Sequence, residues 1–205
     1  MRNSRSVQSL GKHLAHHHAV VIGGTGMLRR ASVAIATQSL AFTAVARTSA
    51  SLDALAGDVG KGSTRRYCSL ALDWDQQEEF VDALSQQFKA NPPSLVIAWL
   101  HNVWLATRIA SAIPRNASTC EFLQVLGSAG RGPHSEATAL QKAIEPRADL
   151  VYRQVILGFK REPPSSRWLT NDEISDGVLD AVSARQQSHV IGIVDPWSER
   201  PPDAA

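Results

Sequence analysis

The chain has 205 residues, 43% of them hydrophobic and 20% charged, a mixture from which one domain can bury roughly 70% of its unfolded surface without disulfides or metals. No apolar run approaches the ~18 residues that a membrane helix needs, which excludes that class and points to a soluble protein. The net charge of +2 conceals an asymmetry, because Arg2, Arg5, Lys12, Arg29, Arg30 and Arg47 all precede the first acidic residue, Asp53.

The first 18 residues, "MRNSRSVQSLGKHLAHHH", lack the hydrophobic core of a secretory signal. They read as a basic, disordered extension, while their Arg, Ser and absent acids also fit an organelle transit peptide. His16, His17 and His18 are adjacent imidazoles on a loose arm, weak grounds for a metal site, and no metal is assigned.

From residue 19 onward, apolar runs of five to seven residues alternate with longer amphipathic stretches, the pattern of a parallel sheet covered by helices. Strands are expected at "AVVIG" (19–23), "AFTAVA" (41–46), "YCSLAL" (67–72), "SLVIAWL" (94–100), "EFLQVLG" (121–127), "LVYRQVILGF" (150–159) and "HVIGIV" (189–194). Helices are expected over 27–39, 51–56, 75–90 and 103–113, with a compact one over 136–144. A further helix opens at the capping box "TNDE", in which Thr170 and Glu173 each satisfy the other's backbone N–H. The tail from 196 to 205 is polar and rich in proline, and reads as loose. The nucleotide-binding domain is therefore expected to span 19–195. Cys68 and Cys120 fall on strands four apart in the expected sheet, roughly 19 Å at ~4.8 Å per strand, too far for a disulfide. Both are expected to be reduced and buried, which suits a cytoplasmic protein.

The turn "GGTG" follows the first strand and opens the first helix, the context in which such glycines bind a pyrophosphate. Gly23 would allow the sharp reversal and Gly26 the approach of backbone to phosphate, beside the free amides of the helix N-terminus. Gly24, Thr25, Met27 and Leu28 complete the expected contact segment.

These residues resemble the short-chain dehydrogenase/reductase (SDR) superfamily, in particular its atypical and divergent members. The resemblance runs from Ala19 to Val194 and is sharpest in the first half. It implies a three-layer, doubly wound parallel α/β sheet (Rossmann fold) of seven strands in the order 3-2-1-4-5-6-7. The family's turn carries a third glycine where this chain has Arg29, which implies a displaced helix or a side chain turned toward the phosphates. At the end of the second strand, where an acid would select NAD(H), stand Arg47 and Thr48, so NADP(H) is the favoured cofactor. Arg47 also reads as an ordinary solvated arginine. Asp73 matches the family's contact to the adenine amino group, with Trp74 beside the ring, although Asp73 or Asp75 would equally serve as a helix N-cap. Ala98, Trp99 and Leu100 fall by position beside the nicotinamide ribose, and His101 follows them as a candidate proton donor or a structural strand-end residue.

The family reduces carbonyls with a tyrosine, a lysine four residues later and a serine. Ser128 matches the serine, or merely ends the fifth strand. The other two positions hold Gln141 and Glu145. The two tyrosines cannot supply the pair, since Ala71 lies four residues after Tyr67 and Ile156 four after Tyr152. His101, His134 and Lys142 remain as acids near the groove. The resemblance thus implies an NADP(H)-binding protein acting on a small-molecule substrate as a divergent oxidoreductase, or else a non-catalytic nucleotide-binding regulator. It calls for no nucleic acid and no membrane, and leaves a homo-oligomer open.

Overall fold

The computed structural model describes residues 16–60, 66–100, 102, 104–115, 118–127, 136–144 and 146–202. Seven strands form one parallel sheet: β1 (His16–Ile22), β2 (Ser39–Ala46), β3 (Tyr67–Ala71), β4 (Leu95–Trp99), β5 (Cys120–Leu126), β6 (Leu150–Leu157) and, last in the chain, β9 (Ser188–Ile191). Their order across the sheet is β3-β2-β1-β4-β5-β6-β9, the order expected from sequence. It reverses between β1 and β4, where Ala19 to Ile22 pair with Leu95 to Ala98, and this switch point is where such sheets hold their ligands.

Helices cover both faces, so β4 and the Ala19–Ile22 part of β1 are apolar residue after residue rather than alternating. On one face, α1 (Arg29–Thr37), α2 (Ser49–Gly60) and α6 (Asn171–Ala184) pack on a core that includes Val21, Phe42, Ile97, Leu123 and Val155. On the other, α3 (Gln77–Ala90) and α4 (Leu105–Ala112) pack on Val20, Val96, Phe122 and Tyr152. The helix α5 (Glu136–Ala143) follows β5 within the span expected for a compact replacement. The Thr170 capping box forms as expected, with both reciprocal bonds present.

Four sequence expectations need correction. First, β1 begins at His16, so the three histidines belong to the sheet and not to a loose arm. His18 is fully buried, with Nδ1 2.8 Å from the Asn91 carbonyl and Nε2 2.9 Å from the Thr43 hydroxyl. Second, the long run after residue 150 is two elements: β6 ends at Leu157, and β7 (Phe159–Glu162) then pairs antiparallel with β8 (Ser165–Trp168) as a hairpin. Third, the tail is held as far as Pro202. A 3-10 turn at Trp197–Glu199 places the Glu199 carboxylate on Arg161, and the Trp168 indole N–H donates to the Pro202 carbonyl at 3.1 Å. Fourth, Cys120 is buried but Cys68 is only half-buried, though both are free thiols.

Among the described residues no helix is long and apolar enough to cross a membrane.

Candidate functional site

The turn between β1 and α1 lies at the switch point. Gly23 has φ +74°, in the left-handed region that glycine adopts without cost, and its N–H donates to the Val45 carbonyl at 2.9 Å. A Cβ here would collide with the backbone carbonyl oxygen of Trp99 at the end of β4. Gly23 is thus required twice, for the reversal and for the close approach of β1 to β4.

Gly24 keeps α1 close to β1, where Arg29 in place of a third glycine implied a displaced helix. A Cβ on it would strike the Ser32 hydroxyl and come within 2.6 Å of Val21 Cγ1, so its lack of a side chain is what lets α1 pack closely on β1. The Ser32 hydroxyl lies 2.9 Å from the carbonyl oxygens of both Gly24 and Leu28, tying the helix to the turn. Sequence reasoning missed Ser32. The available signal was a serine on the buried stripe of α1, between Ala31 and Ile35.

Arg29 lies away from the β1–α1 contact and reaches across to α2. Its Nε donates to Asp58 at 2.8 Å and its terminal nitrogen to the Ala54 carbonyl at 2.8 Å, both on α2. The expectation of a displaced helix or a phosphate-facing arginine is corrected on this point. Leu28 is also reassigned, because it is fully buried in the core and presents no surface to a ligand.

Gly26 is exposed, and nothing lies within 4 Å of where its Cβ would be. Helix α1 starts two residues later than expected, with the Arg29 N–H donating to the Gly26 carbonyl at 2.9 Å. It has no side-chain cap and no acid in its first turn. Amides at such an end are available to an anion. Thr25 and Met27 are half-buried, and the Met27 carbonyl accepts from Ser175 of α6 at 2.9 Å.

At the end of β2, Arg47 is exposed and its guanidinium carbon lies 4.8 Å from the centroid of the Trp74 ring, a cation–π contact. Among the described residues no carboxylate pairs with it. Thr48 caps α2, its hydroxyl oxygen accepting from the Ser51 N–H at 3.4 Å. Asp73 is exposed and accepts from the Asp75 N–H at 3.1 Å, a local turn. It is not the N-cap of α3, a position that Gln76 takes. The end of β2 and the end of β3 therefore bring exposed Arg47 and Asp73 beside the half-buried Trp74.

At the end of β4, Ala98 and Leu100 are buried in the opposite-face core and cannot line a groove with their side chains. Trp99 alternates to the α1 side and is half-buried, its ring extending over Gly127 just past β5. Gly127 was another residue that the sequence reading passed over. Ser128, His101 and His134 lie outside the described residues.

Neither tyrosine reaches this edge of the sheet. Tyr152 lies within β6, bonded to Gln124 and Gln154. Tyr67 begins β3, and burial pushes its phenol above the ordinary value. Burial likewise pushes the Cys120 thiol up to about 12, which leaves it inert at neutral pH.

No family model matches the chain, and no curated protein matches it. Solved structures do. A short-chain dehydrogenase from Sphingobium yanoikuyae in complex with NADPH superposes with a TM-score of 0.68 at 16% identity, over 92% of this chain and 98% of that one. A short-chain type dehydrogenase/reductase from Mycobacterium marinum gives 0.66 at 16%, over 91% and 97%. The bulky-bulky ketone specific alcohol dehydrogenase from Comamonas testosteroni gives 0.64 at 13%, over 92% and 96%. At these identities the likeness shows the fold, and the fold is the Rossmann sheet that short-chain dehydrogenases share.

Proposed function

We propose that the chain binds NADP(H) across the β1–α1 turn and acts as an oxidoreductase on a small-molecule substrate without a tyrosine–lysine pair. The observation that carries this reading is Arg47. It stands at the end of β2 with its guanidinium over Trp74, has no carboxylate partner among the described residues, and lies on the same edge of the sheet as the uncapped start of α1. A 2′-phosphate would be met there by a bidentate, charge-assisted contact. Asp73 would accept from the adenine amino group, and Gly26 would let the turn's backbone meet the pyrophosphate. The NADPH bound in the Sphingobium yanoikuyae structure supports the same reading. For catalysis, Ser128 would orient the substrate and His101 would donate the proton.

Titration of NADPH and NADH against wild type and Arg47→Ala tests the assignment. NADPH is expected to bind wild type more tightly, and Arg47→Ala to lose roughly ten- to a hundredfold in NADPH affinity, the worth of one charged hydrogen-bonding contact. NADH affinity should be unmoved. Equal affinities in wild type would overturn the NADP(H) assignment.

The absent pair favours a second reading, a nucleotide-binding regulator with no turnover. Cofactor binding with no oxidation of NADPH by any carbonyl substrate would support it.

A further inference from the structure

We propose that Ser175, near the start of α6, is a positioning residue for the dinucleotide turn: its hydroxyl holds the Met27 carbonyl, and with it the Gly26–Met27 backbone, in the shape that receives the pyrophosphate. The inference rests on the NADP(H) reading above and adds to it a residue 148 positions from the turn.

The backbone at Met27 lies where the helix does not hold it. Helix α1 has no side-chain cap, and its ladder opens with the Ser32 N–H donating to the Leu28 carbonyl at 2.8 Å. The Met27 carbonyl precedes that ladder and takes its bond from the Ser175 hydroxyl, at 2.9 Å. On the outer side, Gly26 and Met27 border a cleft of about 580 Å³ between α1, α2 and α6, and nothing lies within 4 Å of where a Gly26 Cβ would be. Packing on that side therefore does not fix the turn. Two buried serines do so by hydrogen bonds, Ser32 at the Gly24 carbonyl and Ser175 at the Met27 carbonyl.

The anchor itself is firmly placed. Ser175 stands on the buried stripe of α6, between Ile174 and Val178, where a hydroxyl requires a partner. Two residues on, Gly177 meets Ile191 of β9 so closely that a Cβ would lie 2.5 Å from its Cδ1. Glu173 accepts from Arg167 at 2.8 and 2.9 Å and from Lys160, both on the β7–β8 hairpin. Arg30 of α1 pairs with Asp172 and Asp176. A donor on a helix held from three directions fixes its acceptor without shifting itself. A turn kept in its bound shape before the ligand arrives loses less freedom on binding, so the hydroxyl raises affinity while acting only through Met27. Without it the carbonyl is released toward the cleft, and Gly26 moves with it.

Calorimetric titration of NADPH and of 2′-AMP, which carries the 2′-phosphate but no pyrophosphate, isolates this role. Ser175→Ala should weaken NADPH by about 2- to 12-fold, the worth of one neutral hydrogen bond. It should leave 2′-AMP affinity as in wild type, which also shows that the variant is folded. Ser175→Thr keeps the donor and should bind NADPH as wild type does. Unchanged NADPH affinity in Ser175→Ala would overturn the inference. So would an equal loss for both ligands, the mark of a residue that supports the fold as a whole. Failure of NADPH to bind wild type would instead sink the cofactor assignment, and the positioning role with it.

Discussion

The hydroxyl of Ser32 occupies the place that a side chain on Gly24 would need, and it links the carbonyls of Gly24 and Leu28. The join between β1 and α1 thus depends on a glycine and a serine eight residues apart. Gly24→Ala forces the new methyl against Ser32 Oγ and Val21 Cγ1, and overpacking of this kind costs about 1–3 kcal/mol. Urea unfolding should show a lower midpoint for Gly24→Ala, with an unchanged slope. Gly24→Ala combined with Ser32→Ala should recover part of the loss, because one of the two clashes is gone while the Val21 clash remains. A midpoint equal to wild type in the single variant would mean that the helix packs more loosely than it does here.

Arg29 gives the opposite expectation. Its contacts run to Asp58 and Ala54 on α2, both members of the ion pair are more than a third exposed, and such pairs contribute about 0–1 kcal/mol. Arg29→Gly adds a helix-propensity cost of about 1 kcal/mol at the first helical residue. Stability should therefore fall by roughly 1–2 kcal/mol, while NADPH affinity stays within a factor of two. A large change in affinity would place this arginine on the phosphates after all.

The fold was legible because its signals are local and redundant. The strands and helices came from alternation of apolar runs with amphipathic ones, their order across the sheet was implied by the resemblance that the glycine turn carries, and the capping box at Thr170 is a four-residue code that the structure reproduces. What could not be read was settled by distant partners. The hairpin was hidden because β6 and β7 are separated by Gly158 alone, where a Cβ would strike the Ile193 carbonyl. The role of Gly24 depends on Ser32, and the Trp99 ring lies against Gly127, 28 positions away. The tail looked loose because its composition is polar, yet Arg161 and Trp168 hold it. The glycine turn and Arg47 lie at the ends of β1 and β2, where their positions in the sequence put them, whereas the burial of Leu28, Ala98 and Leu100 required knowing which side of the sheet each of them faces.

The histidines at the foot of β1 give a pH dependence of known sign. Burial holds His18 below the ordinary imidazole value of about 6.5, against the raising effect of its bonds to backbone at Asn91 and Pro92. Burial does the same at His16, where Glu121 opposes it and Arg185 and Arg153 assist it. A depressed histidine is neutral in the folded chain and charged in the unfolded chain over the interval between the two values. The unfolded state then binds more protons, so stability is complete above pH ~6.5 and declines as pH falls below it. Carboxylates act lower. Glu173, held far below the ordinary range by Arg167, Lys160 and the Thr170 N–H, contributes stability that is lost only below pH ~4.5. Unfolding free energies measured from pH 8 to pH 5 should fall with decreasing pH in wild type. His18→Gln should flatten that slope, and Glu173→Gln should leave it unchanged. A flat wild-type profile over this interval would show that neither imidazole is depressed.

The last expectation concerns turnover. Hydride transfer to a carbonyl leaves a developing alkoxide, whose charge is relieved when a positioned acid supplies a proton. In this chain Tyr152 lies inside β6, committed to Gln124 and Gln154, and Tyr67 starts a strand on the far side of the sheet from β5. Neither is followed four residues later by a lysine. General acid catalysis contributes typically 10²–10⁴ in rate, so with NADPH and simple aldehydes, ketones or quinones the purified protein should turn over slower by about that factor than a short-chain reductase that has the pair, assayed beside it. Chemistry that needs no protein acid, such as hydride transfer to a flavin, is exempt and should not show the deficit. If His101 supplies the proton, the residual carbonyl reduction should fall further in His101→Gln, and its dependence on pH near neutrality should disappear. Fast carbonyl reduction that survives His101→Gln, His134→Gln and Ser128→Ala together would place the proton donor in a part of the cleft that none of these residues occupies.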